Sequence, residues 1–131
     1  MPAIYPFMGY RDARAAIEWL CRAFGFQKHA VDDGPDGRVA HAELKLGPAA
    51  VVMLGSIQHD TLGLGVPLDV GAVTGGIYTA VEDLDAHYQR AQAAGAQIVQ
   101  ELTDDGYGRR YSAHDLEGHL WAFGDYRPQQ Q

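Results

Sequence analysis

The spacing of apolar residues switches along the chain between a period of 3.6 and a period of two, the pattern of helices interleaved with strands. Ala13, Ala16, Ile17, Leu20 and Phe24 recur at helical intervals, while Arg14, Glu18 and Arg22 fall elsewhere on the wheel. They predict an amphipathic helix, with Asp12 placed to accept from its first N–H groups and Gly25 able to take the left-handed conformation that ends it. Leu84, Tyr88, Ala91 and Ala94 write a second, weaker helix between Asp83 and Gly95. A short strand candidate precedes each helix, at 4–8 and at 77–81. Three more follow each one: 26–31, 39–46 and 49–54 in the first half, 97–102, 109–114 and 119–123 in the second. Each half therefore reads β-α-β-β-β.

The two halves look like copies. Asp12 and Asp83, Gly25 and Gly95, and Gly47 and Gly118 stand 71, 70 and 71 residues apart. The chain is read as a single domain made of module 1 at 1–55, a linker at 56–74, module 2 at 75–126 and a polar tail at 127–131. The linker holds glycines and Pro67 without a clear period, and is expected to form a flap or a crossover. Gly34, Pro35, Asp36 and Gly37, with Gly47 and Pro48, supply turn chemistry in the first half, and the segment from Asp115 to Gly118 supplies it in the second.

Composition narrows the class. With 131 residues, 47% of them apolar, the chain is too hydrophobic for disorder. A domain of this size buries about two-thirds of its unfolded surface, so it needs neither disulfides nor a structural metal to fold. Its one cysteine, Cys21, cannot bridge within the chain, which suits a reducing, cytoplasmic setting. No apolar run near membrane-spanning length and no export-type start is apparent, so neither insertion nor secretion is expected. Ten basic against seventeen acidic side chains give a net charge of −7, which argues against nucleic acid as a partner.

The alternation within strands assigns faces. In 39–46, Ala40, Ala42, Leu44 and Leu46 share one side, and His41, Glu43 and Lys45 share the other. One side would pack on helices; the other, curled by strand twist, would form an open cup for a small ligand. His41 and Glu43, two apart, could converge there as a pair that orients a ligand, or could be ordinary solvent-facing residues. Tyr5, Phe7 and Tyr78 are expected to line the same cavity as aromatic walls. Trp19 and Trp121 are expected in the core. Cys21 is expected as a buried thiol, with no histidine placed to activate it.

Tyr10, Arg11, Asp12 and Ala13 lead into Ala16, Ile17, Glu18, Trp19 and Leu20, then Phe24, Gly25 and Phe26. Together with Val81, Glu82, Asp83, Leu84, Asp85 and Ala86, and with the run from Asp115 through Glu117, Gly118 and His119 to Trp121, these stretches resemble the glyoxalase, bleomycin-resistance and extradiol-dioxygenase (vicinal oxygen chelate) superfamily. The resemblance covers nearly the whole chain. It implies an α+β fold in which two βαβββ modules form a curved, eight-stranded mixed sheet. In metal-dependent members, ligands come from the first and last strands of each module; here those positions hold Tyr5, Met53, Gly76 and Ala122. A phenol and a thioether do not replace imidazole and carboxylate donors.

The chain therefore looks like a metal-free, bleomycin-resistance-like branch, with no cofactor and no catalytic residue expected. Its ligand would be a small molecule, an antibiotic or other bulky natural product. By the same resemblance Arg110 and Ser112 look into the pocket, with Arg109 and Tyr111 turned away. The expected ligand-binding set is Tyr5, Phe7, His41, Glu43, Met53, Tyr78, Arg110 and Ser112, in a homodimer whose pockets lie near the subunit interface. The alternative is a glyoxalase-type lyase, isomerase or dioxygenase whose metal is held by displaced ligands such as His41, Glu43 and His119.

Overall fold

A computed structural model of the chain describes residues 1–57 and 62–128; the end of the tail, at 129–131, lies outside the described residues. In chain order the elements are β1 (Phe7–Tyr10), α1 (Ala13–Phe24), β2 (Gln27–Asp33), β3 (Val39–Leu46), β4 (Ala50–Ser56), α2 (Pro67–Val70), β5 (Gly76–Ala80), α3 (Leu84–Ala93), β6 (Gln97–Asp104), β7 (Arg109–His114) and β8 (Leu120–Gly124). No helix among the described residues is long and apolar enough to cross a membrane.

The helix boundaries follow the local chemistry of the sequence. Asp12 accepts from Ala15 N at 3.0 Å, and Asp83 from Ala86 N at 3.2 Å. Gly25 ends α1 at φ 85°, and Gly95 follows α3 at φ 82°. Two strand-level expectations need correction. The first strand begins at Phe7 rather than at residue 4, because Pro6 has no N–H for the ladder and holds Tyr5 out of it; pairing starts with the Pro6 carbonyl, which accepts from Met53 N at 2.9 Å. Ala40 does not share the buried side of Ala42 and Leu44. The ladder slips between Asp32 and Asp33, so Val39 is buried in its place and Ala40 is exposed. The segment between the modules is not wholly irregular either: α2 docks on module 2 through Leu68 N, which donates to the Glu117 carbonyl at 3.2 Å, and Val66 beside it is fully buried.

Both modules have the same topology. The strand orders are β1-β4-β3-β2 and β5-β8-β7-β6; the β1–β4 and β5–β8 pairs are parallel, and the rest are antiparallel. The repeat seen as a 71-residue shift is thus a repeat in three dimensions. Within one chain the eight strands form two four-stranded sheets, backed by one continuous core. Phe24, the last residue of α1, packs on Phe123 and Trp121 of the other module, with ring centroids 4.7 and 5.5 Å away. The helices are tied by Trp19 Nε1, which donates to the Ala94 carbonyl at 3.0 Å, and by Arg90, whose guanidinium donates to the Arg22 and Cys21 carbonyls at the end of α1. Trp19 and Trp121 are both buried, whereas Cys21 is only half-buried, its thiol pushed up by burial and by Glu18.

The turn before β8 joins the modules a second time. Glu117, itself buried, accepts from the backbone N–H groups of Arg11 and Asp12 at 2.6 and 2.8 Å, just before α1. Asp115, also buried, accepts from Tyr10 Oη at 2.5 Å and Trp121 Nε1 at 2.9 Å. The segment read in the sequence as turn chemistry is therefore a carboxylate clamp on module 1.

His87 of α3 closes another polar contact in this core. Its Nε2 donates to the Phe24 carbonyl at 2.8 Å, and its Nδ1 accepts from the Tyr111 hydroxyl at 2.6 Å, an arrangement that fits the neutral ring. Burial lowers its pKa, and Arg90 nearby acts in the same direction. The unfolded chain then binds a proton here more readily than the native one, so the contribution of His87 is complete above about pH 6.5 and is lost as pH falls below that value. Urea titrations at pH 7.5 and 5.5 should show stability falling at no more than about 1.4 kcal/mol per pH unit from this group. His87→Gln should flatten that part of the profile; an unchanged profile would assign the pH dependence elsewhere.

Candidate functional site

Each sheet turns one side to the helices and leaves the other open. On the open side of module 1, β3 presents His41 and Glu43, and β4 presents Val51 and Met53, while their neighbours Ala42, Leu44, Val52 and Leu54 are buried. His41 Nε2 lies 2.9 Å from Glu43 Oε2. The hydrogen bond from His41 is the main reason the Glu43 carboxyl sits below the usual carboxylate range. Met53 divides this face into two hollows. One, about 310 Å³, takes in Phe7 and His41; the other, about 170 Å³, takes in Tyr5, His29, Glu43 and Lys45. Tyr5 and Phe7 are 50% and 56% exposed, so folding of one chain leaves much of their aromatic surface in water.

The open side of module 2 carries the equivalent positions. Tyr78 stands opposite Ala122 in the β5–β8 ladder just as Phe7 stands opposite Met53 in β1–β4. The duplication thus places an aromatic ring beside an apolar residue at the same point of each sheet. Tyr78, Arg110 and Ala122 line a cavity of about 400 Å³, closed by Tyr107 from the β6–β7 turn and Tyr126 from the segment after β8. The Tyr78 hydroxyl donates to the Tyr126 carbonyl at 2.7 Å, and burial, then Asp125, pushes its pKa up. Arg110 pairs with Asp105, its Nε 2.9 Å from Asp105 Oδ2. Gly124 of β8, next to the cavity, leaves room for the Tyr78 hydroxyl. A Cβ on Gly124 would come within 2.7 Å of Tyr78 Oη and 2.8 Å of the Arg109 carbonyl.

The expected sites are brought together only in part. Tyr5, Glu43 and Met53 meet, as do Phe7, His41 and Met53, and as do Tyr78 and Arg110. Tyr5, Phe7 and Tyr78, expected in one cavity, line three separate hollows among the described residues, because the two open faces belong to different sheets. Ser112 lies beside Ala122 on the module 2 face, with its hydroxyl 3.5 Å from Gln100 Oε1, a weak contact. Arg109 and Tyr111 point the other way: Arg109 makes a two-pronged pair with Asp85 of α3 at 2.7 and 3.2 Å, and Tyr111 is fully buried. Asp105, Tyr107 and Tyr126 were not legible as site residues. The one local signal was the Asp-Asp-Gly run ending at Gly106, which builds the turn that carries Tyr107.

The donor set does not fit a divalent metal. Tyr5 lies outside β1, Met53 and Ala122 offer no hard donor, and Gly76 offers no side chain. Among the described residues no three His, Cys, Asp or Glu side chains gather where they could hold an ion. His119, the third member of the displaced-ligand set, is turned away from His41 and Glu43: its Nε2 lies 3.0 Å from the Gly9 carbonyl, and its ring packs edgewise on Tyr10 at 4.7 Å.

The pattern of two βαβββ modules agrees with comparison to known families, in which the Glyoxalase/Bleomycin resistance protein/Dioxygenase superfamily matches residues 6–123. The chain belongs to this superfamily. The chain is similar to an uncharacterized protein of Mycobacterium bovis, 34% identical over 125 residues that cover 94% of this chain and 82% of the relative. The crystal structure of TioX from Micromonospora sp. ML1 is 35% identical with a TM-score of 0.73, covering 93% of this chain and 94% of TioX. TnmS3, an antibiotic binding protein from Streptomyces sp. CB03234, shares the fold at 19% identity and a TM-score of 0.70, covering 95% of this chain and 97% of its own. Superfamily membership fixes the architecture and leaves the chemistry to the site.

Proposed function

We propose that this superfamily member binds a bulky small molecule, an antibiotic or similar natural product, holds it without a metal and makes or breaks no bond in it. The observation that carries the reading is the pair of equivalent open faces. At each, an aromatic ring stands beside an apolar residue, Phe7 beside Met53 and Tyr78 beside Ala122, and Met53 and Ala122 hold two of the positions where a metal-dependent relative would have ligands. TnmS3, which shares the fold, is an antibiotic binding protein. His41, Glu43 and Arg110 would orient polar groups of the ligand, Ser112 would add a hydroxyl, and Tyr5, Phe7, Met53 and Tyr78 would supply apolar contact.

A homodimer completes this reading. β1 and β5 are edge strands of their own sheets, and the exposed Ile4, Tyr5 and Phe7 lie at the β1 edge. A second copy that sets its β5 edge against this β1 edge would cover those side chains and face module 1 of one subunit with module 2 of the other. That arrangement would bring Tyr5 and Phe7 to Tyr78 and Arg110, a meeting the single chain does not make. The half-buried, unpaired Cys21 suits a reducing cytoplasmic compartment.

Native mass spectrometry of the protein isolated from its own host tests the reading in one measurement. The expected result is a dimer carrying an organic adduct and no stoichiometric metal. A stoichiometric ion together with turnover that disappears on chelation would overturn it in favour of a lyase, isomerase or dioxygenase, and a monomer at micromolar concentration would remove the composite cup.

A further inference from the structure

The geometry points to a self-contained ring-stacking site on module 2, in which Tyr107 and Tyr126 hold a flat, fused aromatic ligand and Arg110 takes an anionic or carbonyl oxygen at its edge. This deepens the reading above, on which it rests, by naming the ligand class and two residues that sequence reasoning did not single out.

Tyr107 and Tyr126 come from separate segments, the β6–β7 turn and the stretch after β8, yet their ring centroids lie 5.5 Å apart with planes at 76°. They are 69% and 43% exposed, so neither ring is used to fill the core. A ring stacked on one would meet the edge or hydroxyl of the other, the crossed arrangement that aromatic quadrupoles favour. The hollow they close, about 400 Å³, lies within the range of small-molecule sites and is large enough for two or three fused rings. Ala122 and Gly108 border it, so no long side chain fills the space.

The walls are fixed before any ligand arrives. Asp105 Oδ1 accepts from Tyr107 N at 3.0 Å, and Asp104 Oδ1 accepts from Gly106 N at 3.0 Å, which sets the turn. Asp125 Oδ1 accepts from Arg109 N at 2.9 Å, and the Tyr126 carbonyl accepts from Tyr78 at 2.7 Å, which sets the segment after β8. Such ordering reduces the entropy lost on binding. Arg110 is placed beside this turn by an ion pair, its Nε 2.9 Å from Asp105 Oδ2, and its guanidinium makes no hydrogen bond among the described residues. A guanidinium paired at one nitrogen and open at the others is suited to a planar carboxylate, a phenolate or a ring carbonyl.

The test is calorimetric titration of the full chain with 2-naphthoate, with neutral 2-methoxynaphthalene and with cyclohexanecarboxylate. Saturable binding of 2-naphthoate is expected, with a loss of about tenfold or more in affinity for each of Tyr107→Ala and Tyr126→Ala, both exposed positions whose replacement should leave the melting temperature unchanged. Arg110→Gln should weaken 2-naphthoate by about tenfold and leave 2-methoxynaphthalene within about twofold. Cyclohexanecarboxylate, which has no ring face to stack, should not saturate. Failure of 2-naphthoate to bind, equal binding of the saturated acid, or unchanged affinity in both tyrosine variants would each overturn the assignment. If 2-naphthoate affinity instead falls with Phe7→Ala, the ligand sits on module 1; the small-molecule reading then stands and this inference falls. The reading itself is decided separately, by the adduct found in native mass spectrometry.

Discussion

Asp115→Ala is expected to cost about 4 kcal/mol, a large share of the total stability of about 5–15 kcal/mol that a domain has. The side chain accepts four hydrogen bonds: from Tyr10 Oη and Trp121 Nε1, and from the backbone N–H groups of Glu117 and His119 at 3.0 Å each. Tyr10 and Trp121 are fully buried, so once the carboxylate is gone neither donor can turn to water. A stranded buried donor costs about 1–3 kcal/mol, and the turn that positions Glu117 loses its anchor as well. Burial and the two carboxylates push the Tyr10 phenol well up, so it remains a neutral donor across the working pH range. Tyr10→Phe removes one donor and leaves three for Asp115, so it should cost about 1.5–2 kcal/mol, clearly less than the alanine variant. Urea unfolding of the two variants checks the order; an Asp115→Ala protein within about 1 kcal/mol of the parent would show that the clamp carries little of the join between modules.

What was legible in the sequence divides by range of interaction. Caps and alternation are local, and so Asp12, Gly25 and the spans of β3 and β7 stand where the pattern put them. The side of a strand on which a residue lies is also local, which is why His41 with Glu43, and Arg110 opposite Tyr111, could be assigned to faces. Which faces meet is not local. Phe7 and Tyr78 occupy equivalent places in two modules, and nothing in a period of two says whether those modules share a cavity within one chain. Asp115 reaches Tyr10 across 105 residues, so the sequence shows only its turn-forming role. Tyr107 and Tyr126 lie in stretches without periodicity and become a site only when the β6–β7 turn and the segment after β8 fold against each other.

Phe24→Ala should cost about 3–5 kcal/mol and should destabilise both modules together. The residue belongs to module 1 by sequence and packs in module 2 by structure: its ring meets Phe123 and Trp121 on the far sheet, Trp19 edge-on at 5.1 Å on its own helix, and His87 at 6.0 Å on α3. Its carbonyl also accepts from His87, so the cavity left by alanine lies at the point where both helices and the second sheet converge. Because one core serves both halves, unfolding followed by near-ultraviolet and far-ultraviolet circular dichroism should give coincident single transitions at a lower midpoint. Two separated transitions, with one module surviving, would show that the halves fold independently. Phe24→Leu keeps most of the volume and should cost less than half as much. The consequence reaches the open faces, because Phe24 and the Asp115 clamp are contacts through which one sheet fixes the orientation of the other. Loosening either should therefore weaken a ligand that touches both modules more than one that touches only Tyr107 and Tyr126.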